Sequence, residues 1–205
     1  GEDWDGMRDL DHNSANVQTT VKAYLQMLKD KFGYAGFRYD MVKGYGGKFT
    51  ALYNNASQPE FSVGEYWDGN INKVKAWIES TKSDNVPTSA AFDFPVRYTV
   101  RDAVNNGNWA ALDGVGLAKD PNYARYAVTF VENHDTQPGQ SLASTIESWF
   151  KPSAYALILL RDAGTPCVFW GDLLGTPETG DLPAVRELPL LMGVRFRAAI
   201  GPQHN

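Results

Sequence analysis

Five short apolar runs, each set apart from the next by a helical or polar stretch, constrain the fold of this chain more than any other feature. They occupy residues 35–39, 61–65, 89–94, 126–132 and 166–170. Runs of this length, bounded by turn-forming residues, read as strands. Helical patterns lie between them: around 48–56, at Ile71, Val74, Trp77 and Ile78, from Pro95 onward, and over 151–163. Another helix precedes the first run. Its stripe of Val17, Val21, Tyr24, Leu25, Leu28 and Phe32 is expected to be core, with Asn13 or Ser14 as cap and Gly33 as stop. Strands separated by helices, five times over, predict parallel strands built from βα units, an α/β fold. A length of 205 residues suits one domain with a sizeable core.

In such an architecture the reacting groups sit at the C-terminal ends of the strands. Those ends carry Asp40, Glu65 and, just after the fourth run, His134 and Asp135. Each has a plain structural reading. Arg38 and Asp40 share a strand face and could form a buried ion pair. Glu65 could cap the helix that follows, and Asn133-His134-Asp135 could be a turn. Three carboxylates converging on one mouth are harder to dismiss, because their repulsion is costly unless the site uses it. Aromatic residues flank them: Tyr39, Tyr45, Tyr66, Trp67 and Phe130. Paired carboxylates with aromatic platforms are what glycosidic bond cleavage needs.

The net charge of −5 and the lack of basic runs argue against a nucleic-acid partner. No signal peptide or membrane-spanning run is present, so no membrane partner is expected. Cys167 is the single cysteine, so no intrachain disulfide forms, and its apolar setting reads as core. Glu2, Asp3, Asp5, Asp9 and Asp11 crowd the first segment. Such a cluster either binds a hard cation through oxygen or is a solvated acidic loop.

Three stretches resemble signature stretches of the α-amylase family (glycoside hydrolase family thirteen). They are Gly36-Phe37-Arg38-Tyr39-Asp40-Met41-Val42-Lys43-Gly44-Tyr45, Val63-Gly64-Glu65-Tyr66-Trp67 and Phe130-Val131-Glu132-Asn133-His134-Asp135. They stand in the family's order, each at the end of a predicted strand. The resemblance runs from about Gly1 to Trp170 and implies strands four to eight of a (β/α)8 TIM barrel. It implies a retaining hydrolase of α-1,4-glucosidic bonds in starch, glycogen or maltooligosaccharides, of the plant-type or maltooligosaccharide-forming kind, in an exported parent protein. By it, Asp40 is the nucleophile, Glu65 the general acid/base and Asp135 the carboxylate that holds substrate hydroxyls and stabilises the transition state. Arg38 orients Asp40, His134 binds the sugar, and Lys43, Tyr45 and Trp67 are substrate contacts. Asp9 and the Gly44 carbonyl match calcium ligands, part of an incomplete set.

Departures accompany the match. Many members carry Lys-His where this chain has Lys43-Gly44, which removes an imidazole contact. The first three strands, the small inserted domain and the first signature stretch are absent, so a barrel half needed for closure is missing. Residues 171–205 stop resembling the family. Pro183, Pro189 and Pro202 interrupt their periodicity, so neither a last barrel helix nor a β-domain is expected there. The resemblance leaves open a sibling transglycosylase on α-glucans and a non-catalytic glucan-binding relative.

Overall fold

A computed structural model describes residues 2, 9–176 and 182–198. Asp3 and Asp5 of the acidic segment lie outside the described residues. Contacts cluster into two compact units that meet in sequence at Phe92 and Asp93.

The first unit opens with α1, Ala15–Phe32, which ends where the sequence places its stop. Gly33 turns left-handed at φ 71°, and the N–H groups of Gly33 and Tyr34 donate to the carbonyls of Lys29 and Leu28. This Schellman pattern satisfies carbonyls that a helix end would otherwise orphan. Then come β1 (Gly36–Tyr39), α2 (Gly47–Ser57), β2 (Phe61–Gly64), α3 (Ile71–Ser80), a small antiparallel pair β3 (Lys82–Ser83) and β4 (Val86–Pro87), and β5 (Ala90–Phe92). β1 pairs with β2 and β2 with β5, both parallel, as βα units require. Two glycines allow close approach. A Cβ on Gly36 would lie 2.5 Å from the Phe61 carbonyl oxygen, and one on Gly64 would lie 2.1 Å from the Trp77 ring, so Trp77 packs directly against β2. The expected α1 stripe is only partly core. Leu25 is buried, while Tyr24 and Phe32 are exposed, because α1 packs mainly on α2 and presents its other flank to solvent.

The second unit holds α4 (Phe94–Asn106), β6 (Ala127–Phe130), α5 (Lys151–Leu159), β7 (Thr165–Cys167), α6 (Trp170–Leu174) and α7 (Leu188–Arg197). β6 and β7 are parallel, with Val128 beside Thr165. α7 is a helix where the sequence predicts none. Pro189 falls in its first turn, where a missing N–H costs nothing, so that proline opens the helix instead of breaking it. Val185 and Leu188 close a core with Val131, Ile146, Tyr155 and Ile158.

Asp93 caps α4 by accepting from the Val96 N–H and also accepts from the Ala118 N–H. Burial pushes its carboxyl up to about 6, against the pull of those amides and of Arg161. A folded-state value above the unfolded one favours the protonated native state, so this group's contribution to stability fades as pH rises from about 4 to about 6. In a protein carrying all eight strands, melting followed by circular dichroism should therefore show stability falling over that window. In Asp93→Asn the loss over that window should be smaller.

Candidate active site

The pairing of β1 with β2 runs from Gly36 beside Phe61 to Tyr39 beside Gly64, so Asp40 and Glu65 emerge side by side. The pairing persists past the strands: the Glu65 N–H donates to the Tyr39 carbonyl and the Val42 N–H to the Glu65 carbonyl. Arg38, two residues before Asp40 on the same face, reaches both carboxylates. Its Nη1 donates to Asp40 Oδ1 at 2.8 Å and its Nη2 to Glu65 Oε1 at 2.6 Å. One guanidinium fork therefore sets the spacing of the pair.

The two carboxylates differ in environment. The Asp40 side chain is 67% exposed and that of Glu65 4%. Burial raises the Glu65 carboxyl above its ordinary value, opposed by the Arg38 charge and by the Met41 N–H, and reinforced by the Asp40 charge. Met41 holds φ 40°, a left-handed conformation unfavourable for a side chain of this kind, and there its N–H donates to Glu65 Oε2 at 3.3 Å. Strain beside a reactive group is common at functional sites. Nothing in the residue type Met signals this turn. The plain readings fail here: the Arg38–Asp40 pair is not buried, and the helix after Glu65 is capped by Asn70.

Other expected contacts lie near this pair in sequence. Lys43 Nζ stands 2.9 Å from Glu2 Oε2 and 3.5 Å from Asp68 Oδ2, and 5.7 Å above the Tyr66 ring. Burial acts to lower the Lys43 ammonium value, but those two carboxylates override it and hold the charge more firmly. Tyr45 stacks on His12 at 4.4 Å, and burial raises its phenol. Trp67 is half-buried. Asp9 Oδ1 lies 4.0 Å from where a Cβ on Gly44 would stand, so the two expected calcium ligands are neighbours. Among the described residues, however, no group of three or more His, Cys, Asp or Glu could hold a metal ion. These described residues do not make a calcium site by themselves.

In the second unit Asp135 follows β6, and His134 Nε2 stands 3.3 Å from its Oδ2. Asn133 Oδ1 accepts from the N–H groups of Asp135 and Thr136, so a side-chain turn presents Asp135. The turn reading of 133–135 is thus right for Asn133. Paired carboxylates of unequal burial, one exposed and one buried with its carboxyl raised, suit a nucleophile and an acid/base.

No family model matches the chain. An α-amylase from Geobacillus stearothermophilus is 37% identical over an alignment of 207 positions that covers 96% of this chain and 36% of that protein. An α-amylase from Bacillus licheniformis is 33% identical over an alignment of 209 positions that covers 96% of this chain and 40% of that protein. The chain belongs to the α-amylase family. Alignment over 96% of the chain runs past Trp170, so the family similarity enters the segment that the sequence reading leaves outside it. Among solved structures, an Anoxybacillus α-amylase superposes with a TM-score of 0.67 at 19% identity, covering 94% of this chain and 46% of that one. An α-amylase from Malbranchea cinnamomea gives 0.64 at 24% identity, covering 93% and 39%. The fold is accordingly part of the α-amylase family's (β/α)8 barrel, and the chain spans less than half the length of these relatives. Relatives named cytoplasmic α-amylase, from Escherichia coli, and chloroplastic α-amylase 3, from Arabidopsis thaliana, are 32% and 30% identical over 95% and 83% of this chain, so similarity of this order spans compartments.

Proposed function

We propose that this α-amylase-family chain carries the second half of the catalytic barrel of a retaining hydrolase that cleaves α-1,4-glucosidic bonds in starch, glycogen or maltooligosaccharides. The carrying observation is the Arg38 fork, which holds an exposed Asp40 and a buried Glu65 together at adjoining strand ends. Retaining enzymes need carboxyl groups only about 5–5.5 Å apart, and one guanidinium bonded to both suits that span.

In this reading the Glu65 carboxyl, whose protonated form burial favours, gives its proton to the glycosidic oxygen as that bond breaks. An Asp40 oxygen attacks the anomeric carbon from the other face and forms a covalent glycosyl ester. Glu65, now ionised, takes a proton from water, whose oxygen displaces Asp40 with a second inversion. Arg38 orients Asp40 through its 2.8 Å bond to Oδ1. Asp135 holds sugar hydroxyls and stabilises the oxocarbenium-like transition state, with His134 as a further sugar contact.

The test is covalent trapping in a protein that carries all eight strands. A slow-leaving fluorinated glucoside should leave its label on Asp40, read by peptide mass spectrometry. Label on Asp135, or an inverted product by NMR, overturns the assignment.

A further inference from the structure

We propose that Glu132 is a positioning residue, the buried hub that fixes the loop presenting His134 and Asp135; this rests on the role given to Asp135 above. Glu132 follows β6 and points into the second unit, where its side chain is 0% exposed. An ionised carboxylate so placed is costly unless every oxygen is satisfied by charge and hydrogen bonds. Here each is. Oε1 accepts from Arg97 Nη2 at 2.8 Å and from the Thr136 hydroxyl. Oε2 accepts from the Thr145 hydroxyl and from the Ile146 N–H at 3.2 Å, and lies 3.3 Å from Lys151 Nζ.

These partners are spread along the chain in a telling way. Thr136 sits at the start of the loop that follows β6, Thr145 and Ile146 at its end, Arg97 on α4 and Lys151 at the head of α5. One carboxylate therefore pins both ends of the loop to two helices. Arg97 Nη2 adds a bond to the Ser144 carbonyl, while its Nε and Nη1 find no partner among the described residues. Lys151 is held in turn by Asp172 at 2.6 Å, whose other oxygen accepts from the Tyr155 hydroxyl at 2.7 Å. Two cations and two carboxylates balance within the buried set.

The link to the reactive end is short. The Thr136 hydroxyl donates a hydrogen bond to Glu132 Oε1, and its oxygen accepts from the Asn133 N–H at 3.1 Å. Asn133 Oδ1 in turn accepts from the Asp135 N–H at 3.0 Å. The position of the Asp135 backbone thus depends on Glu132 through one hydroxyl and one amide. Misplacing such a group by about an ångström costs on the order of 10²-fold in rate.

Kinetics of Thr136→Val, which keeps the shape and removes the hydroxyl, test this in a protein with all eight strands. Assays run well below the variant's melting temperature, so that only folded enzyme is read. The expected result is a fall in kcat of about 10- to 100-fold with a much smaller change in KM. Thr136→Ser should restore kcat to within about threefold, since it returns the hydroxyl. Thr145→Val, which loosens the other end of the loop, should act in the same direction and serves if Thr136→Val fails to fold. A lowered melting temperature with kcat unchanged in these variants makes the network merely structural and overturns the proposal. Asp135→Asn is the separate control: if it leaves kcat unchanged, the assigned role of Asp135 fails, whatever the threonine variants do.

Discussion

Asp40→Asn, in a protein carrying all eight barrel strands, should lower kcat on maltooligosaccharides by on the order of 10⁴-fold, because the carboxylate that forms the glycosyl ester is gone. The same barrel with Glu65→Gln should behave differently. It loses the proton donor, so natural substrates with poor leaving groups slow by about 10²–10⁴-fold, while aryl glucosides whose leaving group needs no proton slow far less. Steady-state rates on both substrate kinds check this, and an equal loss on each would remove Glu65 from the acid role. The pH profile gives an independent reading. Burial raises the Glu65 value, with Arg38 and the Met41 N–H opposing, so the alkaline limb of kcat/KM reports Glu65 losing its proton. Glu65→Gln should abolish that limb on activated substrates.

The 205-residue chain alone should release no reducing sugar from starch, although it contains all three carboxylates. Among the described residues β1 pairs only with β2, and β7 only with β6, so each leaves one edge of unpaired backbone groups. Such edges template association, and five strands cannot meet the tilt and stagger that close an eight-stranded barrel. The first unit also exposes Tyr24, Phe32, Tyr34 and Phe61 to solvent at 54%, 65%, 56% and 44%. Light scattering behind size exclusion should show associated species, and a reducing-sugar assay should stay at background. A monomer that melts cooperatively and cleaves glucan, with cleavage lost in Asp40→Asn, would refute this.

Several features needed no coordinates. The alternation of apolar runs and helical patterns placed five strands and the helices between them, because the period of hydrophobic residues follows local backbone geometry. Gly33 marked the end of α1, since only glycine takes its φ of 71° without cost. Asp40, Glu65 and Asp135 stood out because strand ends are where a βα fold gathers its chemistry. The order of three short stretches carried the family.

Tertiary structure decided the rest, and each case turns on partners distant in sequence. The reach of Arg38 to Glu65 depends on the register of β1 against β2, which no single strand encodes. The left-handed Met41 is held by what surrounds it, against its own preference. The exposed flank of α1 could not be foreseen, because an apolar stripe says what could be buried and not whether a partner covers it. The helix α7 was hidden by Pro189, whose effect reverses between a helix's first turn and its interior. Glu132 looked like one more polar residue of a signature stretch. Only folding brings Arg97, Thr136, Thr145 and Lys151 around it, because a buried charge is tolerated only where partners satisfy it, and here they come from four separate segments.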